Sequence, residues 1–252
     1  MSAASLVAVV GNPNCGKSAL FNALTGLRQK VANYPGATVE RRSGELLHDK
    51  SIEIIDLPGA YSLDPRSLDE AVTRDVLMGT HTIERKPDAI ICVVDATNLA
   101  QHLRFAIELR SLGLPMVLAL NMLDLAEREQ IAIDSKKLAE KLGIPVIETV
   151  AVRKRGLEDL KAQVTTVLEN STLKPVDFGD TLKLRQKAAR KIAADVTVSE
   201  GVGHKATRTI DKLLLHPVAG MALLLALFFV MFQAVFSWAG PPADMLEEGV
   251  GI

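Results

Sequence analysis

The sequence predicts an α/β fold: a mostly parallel sheet flanked by helices, followed by a short helical segment and one transmembrane helix. Short apolar runs alternate with helical patterns over the first 169 residues, as in parallel sheets with helical crossovers. The runs Ala89–Asp95 and Met116–Asn121 are almost entirely apolar, which is typical of strands covered on both faces. Residues 217–238 contain no charged side chain and no histidine, and as a helix they would span about 33 Å.

The first half of the predicted domain starts with a strand at residues 6–10, a glycine-containing loop and a helix that ends near Gly26. Residues 29–42 are expected to form a long loop, because asparagine, proline and glycine occur close together there. The elements that follow are two strands at 44–48 and 51–56, joined by a tight turn at 49–50, and a helix at 68–79.

The second half continues the alternation around the two apolar strands, with helices at 99–112, 135–142 and 157–169 and a strand at 145–149. The composition changes after Asn170, where a linker with proline and glycine precedes a basic helix at 181–196. We therefore expect four regions: the α/β domain at 1–170, a short helical linker or reduced regulatory domain at 171–215, the transmembrane helix at 216–239 and a tail at 240–252.

The overall composition argues against several functional classes. A net charge of −1 lacks the excess of positive charge that holds a phosphate backbone, so nucleic acid is not an expected partner. Cys15 and Cys92 are far apart and have no histidine pair nearby, which argues against structural zinc and against a disulfide framework. Residues 1–6 lack the pattern of a cleaved signal peptide, so we expect the chain to begin in the cytosol.

A phosphate-binding loop is predicted between the first strand and the first helix. This stretch fits the pattern G-x-x-x-x-G-K-[ST] in the strand-to-helix context that the motif requires. Its glycines let backbone N–H groups turn toward a phosphate, and the start of the helix adds the positive end of its dipole. Lys17 is expected to reach the β- and γ-phosphates, and the Ser18 hydroxyl to bind Mg²⁺. The residues assigned to the loop are Gly11, Asn12, Pro13, Asn14, Cys15, Gly16, Lys17, Ser18 and Ala19.

A second motif, DxxG, follows the strand that ends at residue 56. It consists of Asp56, Leu57, Pro58 and Gly59. A carboxylate at a strand end can hold Mg²⁺ through a water molecule, and the glycine N–H can detect a γ-phosphate. The motif is weak alone, but its place downstream of the phosphate-binding loop gives it value.

The third motif, Asn121-Met122-Leu-Asp124, stands at the end of an apolar strand and predicts the base. Guanine presents N1–H and N2–H₂ as neighbouring donors, and one carboxylate can accept both. Adenine lacks that pair and presents N1 as an acceptor, so Asp124 would reject it. The nucleotide is therefore expected to be GTP or GDP.

A further element of guanine sites, the segment that binds the base oxygen, is less distinct in this sequence. In GTPases a small residue after the last strand places a backbone N–H on the guanine oxygen, often in a Ser-Ala-x-Lys stretch. Here the corresponding residues are Thr149-Val-Ala-Val-Arg-Lys-Arg-Gly156. We assign the role to Ala151, with Val152 and Arg153 beside it.

Together the motifs resemble the G domain of the FeoB family of bacterial ferrous-iron transporters. The segments that carry the resemblance are Gly11-Asn-Pro-Asn-x-Gly-Lys, Asn33-Tyr-Pro-Gly-Ala-Thr38-Val-Glu40, Asp56-Leu-Pro-Gly-Ala-Tyr61-Ser-Leu and Asn121-Met-Leu-Asp124. The resemblance is close over residues 6–170 and weaker toward the apolar run. It implies a P-loop GTPase fold and a GTP-hydrolysing switch domain that regulates iron uptake.

The family resemblance also implies roles for single residues. Thr38 would meet Mg²⁺ and the γ-phosphate in the GTP form, with Gly36 and Ala37 beside it, and Thr38 and Gly59 would support catalysis. The Mg²⁺ ligands would be Ser18, Thr38 and Asp56, and Asn14 would bind K⁺. The implied partners are GTP and GDP, the membrane, small cytosolic Feo proteins and a second copy of the chain, with Fe²⁺ handled by a membrane region outside this chain.

Hydrolysis is expected to be slow and stimulated by K⁺. Many GTPases place a glutamine directly after DxxG to orient the attacking water, but here Ala60 occupies that position. The phosphate-binding loop also has no arginine to offset the charge between the β- and γ-phosphates. A monovalent cation bound by Asn14 could replace that arginine.

The family resemblance implies the bacterial inner membrane as the location, and the charge distribution predicts that the nucleotide-binding domain lies in the cytoplasm. Basic residues cluster before the apolar run, and residues 239–252 contain acidic residues but no lysine or arginine, as the positive-inside rule requires. The basic residues are Lys183, Arg185, Lys187, Arg190, Lys191, Lys205, Arg208 and Lys212.

Two other functions stay open at this point. Soluble ribosome-assembly or tRNA-modification GTPases share Asn-Pro-Asn loops, although they need no apolar span. A nucleotide-binding scaffold without turnover is the other alternative, because Ala60 cannot orient water. FeoB transporters usually have a larger helical domain and many more membrane helices, so the chain is expected to be a fragment or an unusually short relative.

Overall fold

The computed structural model describes residues 4–26, 29–34, 40–47, 49–169, 176, 178–179, 181–199 and 214–235. The chain divides into two units, Met1–Glu200 and Gly201–Ile252. A seven-stranded sheet in the order β2-β3-β4-β1-β5-β6-β8 forms the centre of the first unit. The strands are β1 Ser5–Gly11, β2 Gln29–Asn33, β3 Glu40–Leu46, β4 Asp49–Asp56, β5 Ala89–Asp95, β6 Met116–Asn121, β7 Ala132–Ile133, β8 Val146–Glu148 and β9 Thr197–Ser199.

The sheet is mostly parallel, which confirms the predicted fold class. The strands β4, β1, β5, β6 and β8 are parallel neighbours, whereas β2 and β3 extend the β4 edge in antiparallel pairing. Because the carboxyl ends of the parallel strands share one edge, the loops that follow β1, β4 and β6 converge there. This edge carries the three sequence motifs.

Helices cover both faces of the sheet. They are α1 Lys17–Thr25, α2 Leu68–Met78, α3 Leu99–Arg110, α4 Leu123–Arg128, α5 Ser135–Leu142, α6 Leu157–Glu169 and α7 Leu182–Val196. Apolar side chains of α1 and α6 form one buried cluster against the sheet, and those of α2, α3, α5 and α7 form a second cluster on the other face. Burial on both faces explains why the central strands are apolar throughout.

The predicted loop at 29–42 was wrong at both of its ends. β2 and β3 pair from Gln29 opposite Gly44 to Asn33 opposite Glu40, while residues 35–39 lie outside the described part of the chain. The edge of β4 pairs with β3, and β3 in turn pairs with β2, so both arms of the predicted loop form strands. The tight turn was also misplaced, because Asp49 already begins β4, with its side chain accepting hydrogen bonds from Ser51.

The basic helix predicted at 181–196 is present as α7, and it packs within the first unit. Ala189, Ile192, Ala193 and Val196 are buried in the same apolar cluster as α3 and α5. β9, which follows α7 directly, pairs with β7 in a small antiparallel sheet that sequence analysis missed, as it missed α4. Strands of two or three residues carry too little alternation to be recognised. The region boundaries at 170, 215 and 239 stay predictions.

The second unit contains a helix, α8, over Pro217–Gln233. The His216 side chain caps it by accepting from the N–H groups of Val218 and Ala219, and Pro217 suits its first position. Its large apolar side chains are exposed. Within the described residues, no helix combines the length and the apolar character needed to cross a membrane. The last residues of the predicted span, 236–239, lie outside the described part of the chain.

Candidate nucleotide-binding site

The loop between β1 and α1 has a backbone that only glycine fits at two positions. Gly16 has φ 88°, and a Cβ there would lie 2.3 Å from Asn121 Nδ2. A Cβ on Gly11 would lie 2.4 Å from the carbonyl oxygen of Val93. Lys17 is only 8% exposed, and its Nζ donates to the carbonyl oxygen of Asn12 at 2.9 Å. The loop therefore folds back around the lysine ammonium at the start of α1.

Ser18 and Asp56 face each other across the start of α1 and the end of β4. Ser18 Oγ donates to Asp56 Oδ2 at 3.0 Å. Asp56 Oδ1 is buried and has no hydrogen-bond partner among the described residues. Burial raises the pKa of the Asp56 carboxyl, because its charged form has lost contact with water. A divalent cation would remove that cost, so this pair of hard oxygen donors fits Mg²⁺.

The segment after β4 lies directly against the phosphate-binding loop. Ala60 N donates to the carbonyl oxygen of Gly11 at 3.2 Å. A Cβ on Gly59 would lie 3.0 Å from the backbone nitrogen of Pro13 and 3.1 Å from Lys17 Nζ. Leu57 is buried, and the Pro58 carbonyl accepts from the hydroxyl of a threonine in α2. The backbone of this segment thus lies beside the lysine ammonium.

The Asn121 side chain joins three loops at the edge of the sheet. Its Nδ2 donates to the carbonyl oxygen of Cys15 at 3.1 Å, and its Oδ1 accepts from Ala151 N at 3.1 Å. The buried Thr149 hydroxyl also lies 3.4 Å from that Oδ1. Asn121 therefore connects the phosphate-binding loop to the turn after β8. The Ala151 N–H was predicted to donate to the guanine oxygen, but in this structure it donates to Asn121 Oδ1.

Asp124 lies in the first turn of α4 beside the turn at 151–153. Met122 precedes it with φ 62°, a left-handed conformation that turns the chain from β6 into the helix. The Asp124 side chain is 14% exposed, and Arg153 Nε lies 3.5 Å from its Oδ2. Val152 is exposed at the same turn. The Asp124 carboxylate, predicted to accept hydrogen bonds from the guanine base, therefore lies next to the turn at 151–153, which is predicted to bind the guanine oxygen.

Of the remaining predicted residues, Asn14 and Cys15 lie on the phosphate-binding loop, and residues 36–38 are not described. Asn14 is exposed on the phosphate-binding loop with φ 63°. Cys15, the next residue, is buried, and burial raises the pKa of its thiol to about 11, so it stays a neutral packing group at neutral pH. Gly36, Ala37 and Thr38 lie outside the described residues.

Sequence analysis missed two buried carboxylates that hold the segment after Gly59. Glu70 accepts from the backbone N–H groups of Tyr61 and Arg66 at 3.0 and 2.8 Å. Glu108, only 1% exposed, binds residues 62–63. The available signal was a glutamate among the mostly apolar residues of α3, where a charged side chain needs partners.

Comparison with known proteins agrees with this geometry. The chain matches the family described as ferrous iron transport protein B over residues 5–164. It is 36% identical over 262 residues to the Fe(2+) transporter FeoB of Helicobacter pylori strain J99, with 98% of this chain and 40% of that protein covered. The chain thus spans about 40% of the length of this curated relative.

Solved structures show the same relationship. The cytosolic domain of L. pneumophila FeoB has a TM-score of 0.69 and 32% identity, with 77% of this chain and 100% of that chain covered. The cytosolic domain of the T. maritima FeoB iron transporter in GMPPNP form has a TM-score of 0.69 and 27% identity, with the same coverage of 77% and 100%. The α/β P-loop GTPase fold is therefore established, and the chain belongs to the FeoB family of ferrous iron transport proteins.

Proposed function

We propose that this chain is the GTP-binding and GTP-hydrolysing switch domain of a membrane protein that transports ferrous iron. The observation that carries the proposal is the Asn121 side chain, which holds the phosphate-binding loop and the turn at 151–153 together beside Asp124. This contact supports a phosphate site and a guanine site at one edge of the sheet. The relationship to a FeoB domain solved in its GMPPNP form supports the same function.

In this proposal each part of the site binds one part of GTP. The backbone N–H groups of residues 11–19 and the Lys17 ammonium bind the phosphates. Asp124 accepts from the guanine N1–H and N2–H₂. The Val152 N–H would bind the guanine oxygen, because the N–H groups of Ala151 and Arg153 already donate to Asn121 and to the Val150 carbonyl. Ser18 and Asp56, with Thr38, would hold Mg²⁺, which when bound neutralises negative charge on the β- and γ-phosphate oxygens.

In this proposal, hydrolysis depends on how the residues of the site position GTP and the attacking water. The Ala60 methyl group is buried and cannot orient a water molecule, and Ala60 N donates to Gly11. Turnover is therefore expected to be well below the typical enzyme value of about 10 per second. The backbone of Thr38 and Gly59 would rearrange around the γ-phosphate and relax after its release, which makes the domain a timed switch.

Phosphate release should be faster in KCl than in NaCl at equal ionic strength. The Asn14 side-chain oxygen is a suitable ligand for K⁺, which would act where an arginine contributes about 10³–10⁵ in rate in other GTPases. Asn14 is exposed on the loop, so its side chain is accessible to an ion. Release of phosphate from GTP by the purified chain with Mg²⁺ should be measured in both salts, for wild type and Asn14→Ala.

The outcomes separate hydrolysis from its ion dependence. No phosphate release in either salt would contradict the GTPase proposal and favour a scaffold without turnover. Equal wild-type rates in the two salts would rule out K⁺ stimulation. A K⁺ effect that survives in Asn14→Ala would assign the K⁺ ligand to another residue. If the nucleotide affinity of that variant is reduced as well, Asn14 only shapes the loop.

We also propose that residues 216–239 anchor the domain in the bacterial inner membrane with the G domain in the cytoplasm. The supporting observations are the exposed apolar side chains of α8 and the basic residues that precede it. Fe²⁺ itself would be handled by a membrane region outside this chain, and small cytosolic Feo proteins and a second copy of the chain are proposed partners.

Protease added to the outside of right-side-out vesicles should leave the G domain intact, and it should digest the domain in inverted vesicles. The basic residues of α7 and of residues 205–212 oppose translocation of this side of the chain, as the positive-inside rule states. A periplasmic protein with a protected core serves as the control for vesicle orientation. Digestion of the G domain in intact right-side-out vesicles would overturn the topology.

A further inference from the structure

The segment at residues 61–66, which follows the DxxG motif and Ala60, is held in part by a carboxylate of α3. Glu108 Oε2 accepts from Ser62 Oγ at 2.9 Å and from Leu63 N at 2.8 Å. Its other oxygen, Oε1, is buried and has no hydrogen-bond partner among the described residues. A buried carboxylate is costly unless its charge is compensated. Glu108 therefore needs a cation in addition to its two neutral donors.

Among the described residues, the cationic group nearest to Glu108 Oε1 belongs to Arg185 of α7. Arg185 Nη1 lies 3.9 Å from Glu108 Oε1, and Arg185 Nε donates to the carbonyl oxygen of Gly179 at 2.9 Å. The Arg185 side chain is 30% exposed and borders a cavity of about 670 Å³ between the 61–66 segment, α3 and α7. The cavity leaves room for the guanidinium to approach the carboxylate. Glu108 is thus shared between the segment after DxxG and α7.

We propose that Arg185 is a positioning residue for GTP hydrolysis and acts through Glu108. The guanidinium compensates the buried carboxylate, which in turn keeps Ser62 and Leu63 in place and so fixes the backbone at Gly59 and Ala60. By this contact α7 controls the order of the segment that responds to the γ-phosphate. The proposal rests on the GTPase function proposed above.

The full chain should first be compared with three single variants in steady-state GTP hydrolysis. Arg185→Ala should lower kcat about threefold, because a partly exposed ion pair is worth a small factor in rate. KM for GTP should change less than twofold, because the residues proposed to bind the nucleotide are untouched. Arg185→Lys, which keeps the charge, should retain most of kcat. Lys187→Ala removes one exposed cation from the same helix and is the matched control, with kcat unchanged.

A double-variant cycle decides whether Arg185 acts through Glu108. Glu108→Gln keeps an oxygen that can accept from Ser62 and Leu63 but removes the charge that Arg185 compensates. Arg185→Ala should therefore cause no further loss of kcat in the Glu108→Gln background. An equal additional loss there would overturn the proposal, as would equal kcat values for Arg185→Ala and Lys187→Ala. A wild-type chain without turnover would overturn the proposal and the GTPase function together, whereas wild-type turnover with either of the former results would overturn this inference alone.

Discussion

Replacing Asp124 with asparagine should weaken GTP binding by about 10²- to 10⁴-fold and favour xanthosine triphosphate instead. The substitution turns one acceptor oxygen into a donor that faces the two guanine donors. Each buried polar group left unpaired costs about 1–3 kcal/mol, and two such groups are affected. Xanthine carries an oxygen at that edge and can accept from the new amide. The Asp124 side chain is 14% exposed, so little water can compensate for the mismatch.

The measurement is a titration of each variant with fluorescent derivatives of GTP and xanthosine triphosphate. Glu127→Gln is the matched control, because Glu127 lies in the same short helix, is exposed and pairs with Arg155 away from the proposed base site. That control should bind GTP as the wild type does. Wild-type affinity for GTP in Asp124→Asn would refute the assignment of Asp124 to the base and, with it, the guanine specificity.

Substituting Gly16 with alanine should slow GTP hydrolysis by about 10²-fold and weaken nucleotide binding. The new Cβ would lie 2.3 Å from Asn121 Nδ2, so the loop or the asparagine must move by about 1 Å, a displacement that can cost that factor in rate. Either movement breaks the hydrogen bond between Asn121 and Cys15. Because Asn121 also holds the turn at 151–153, both ends of the nucleotide site are disturbed.

Gly143→Ala is the control that separates this clash from backbone strain. Gly143 also has a left-handed backbone, with φ 64°, but the nearest atom to its Cβ would be Arg110 Nη2 at 3.9 Å. Alanine there should cost about 1–2 kcal/mol of stability from conformational strain and leave nucleotide affinity unchanged. Both variants should be compared in nucleotide titration, phosphate release and thermal unfolding. Equal nucleotide affinity in the two variants would contradict the role of the close approach at Gly16.

Much of the fold was predictable because the central strands are buried on both faces. β5 and β6 have the predicted bounds, since a continuous apolar run has no other stable place in a soluble domain. The helices α5 and α6 also start and end where predicted, and the Asp134 side chain caps α5. In contrast, the two arms of the 29–42 region form β2 and β3 because β3 pairs with the edge of β4. No local sequence pattern reveals that pairing.

The candidate site divides in the same way. The phosphate-binding loop, Asp56 and Asp124 are recognisable in sequence, because backbone geometry and ligand chemistry restrict the residue types at fixed spacings. The bridge made by Asn121 spans 106 positions in the sequence, from Cys15 to Asn121, so only the folded chain reveals it. The Glu108 contacts with residues 62–63 are of the same kind.

The sequence by itself thus determined the fold class and the family, and it predicted the residues of the proposed phosphate and base sites. These properties follow from local patterns: apolar runs, glycines at strand-to-helix turns and carboxylates at strand ends. Only the tertiary structure decided that α7 packs against α3 in the same unit as the sheet, and that Arg185 lies beside the buried Glu108. The physical reason is that burial and pairing depend on which distant segments meet, and a charged residue in a helix has the same local pattern whether it faces water or a buried partner.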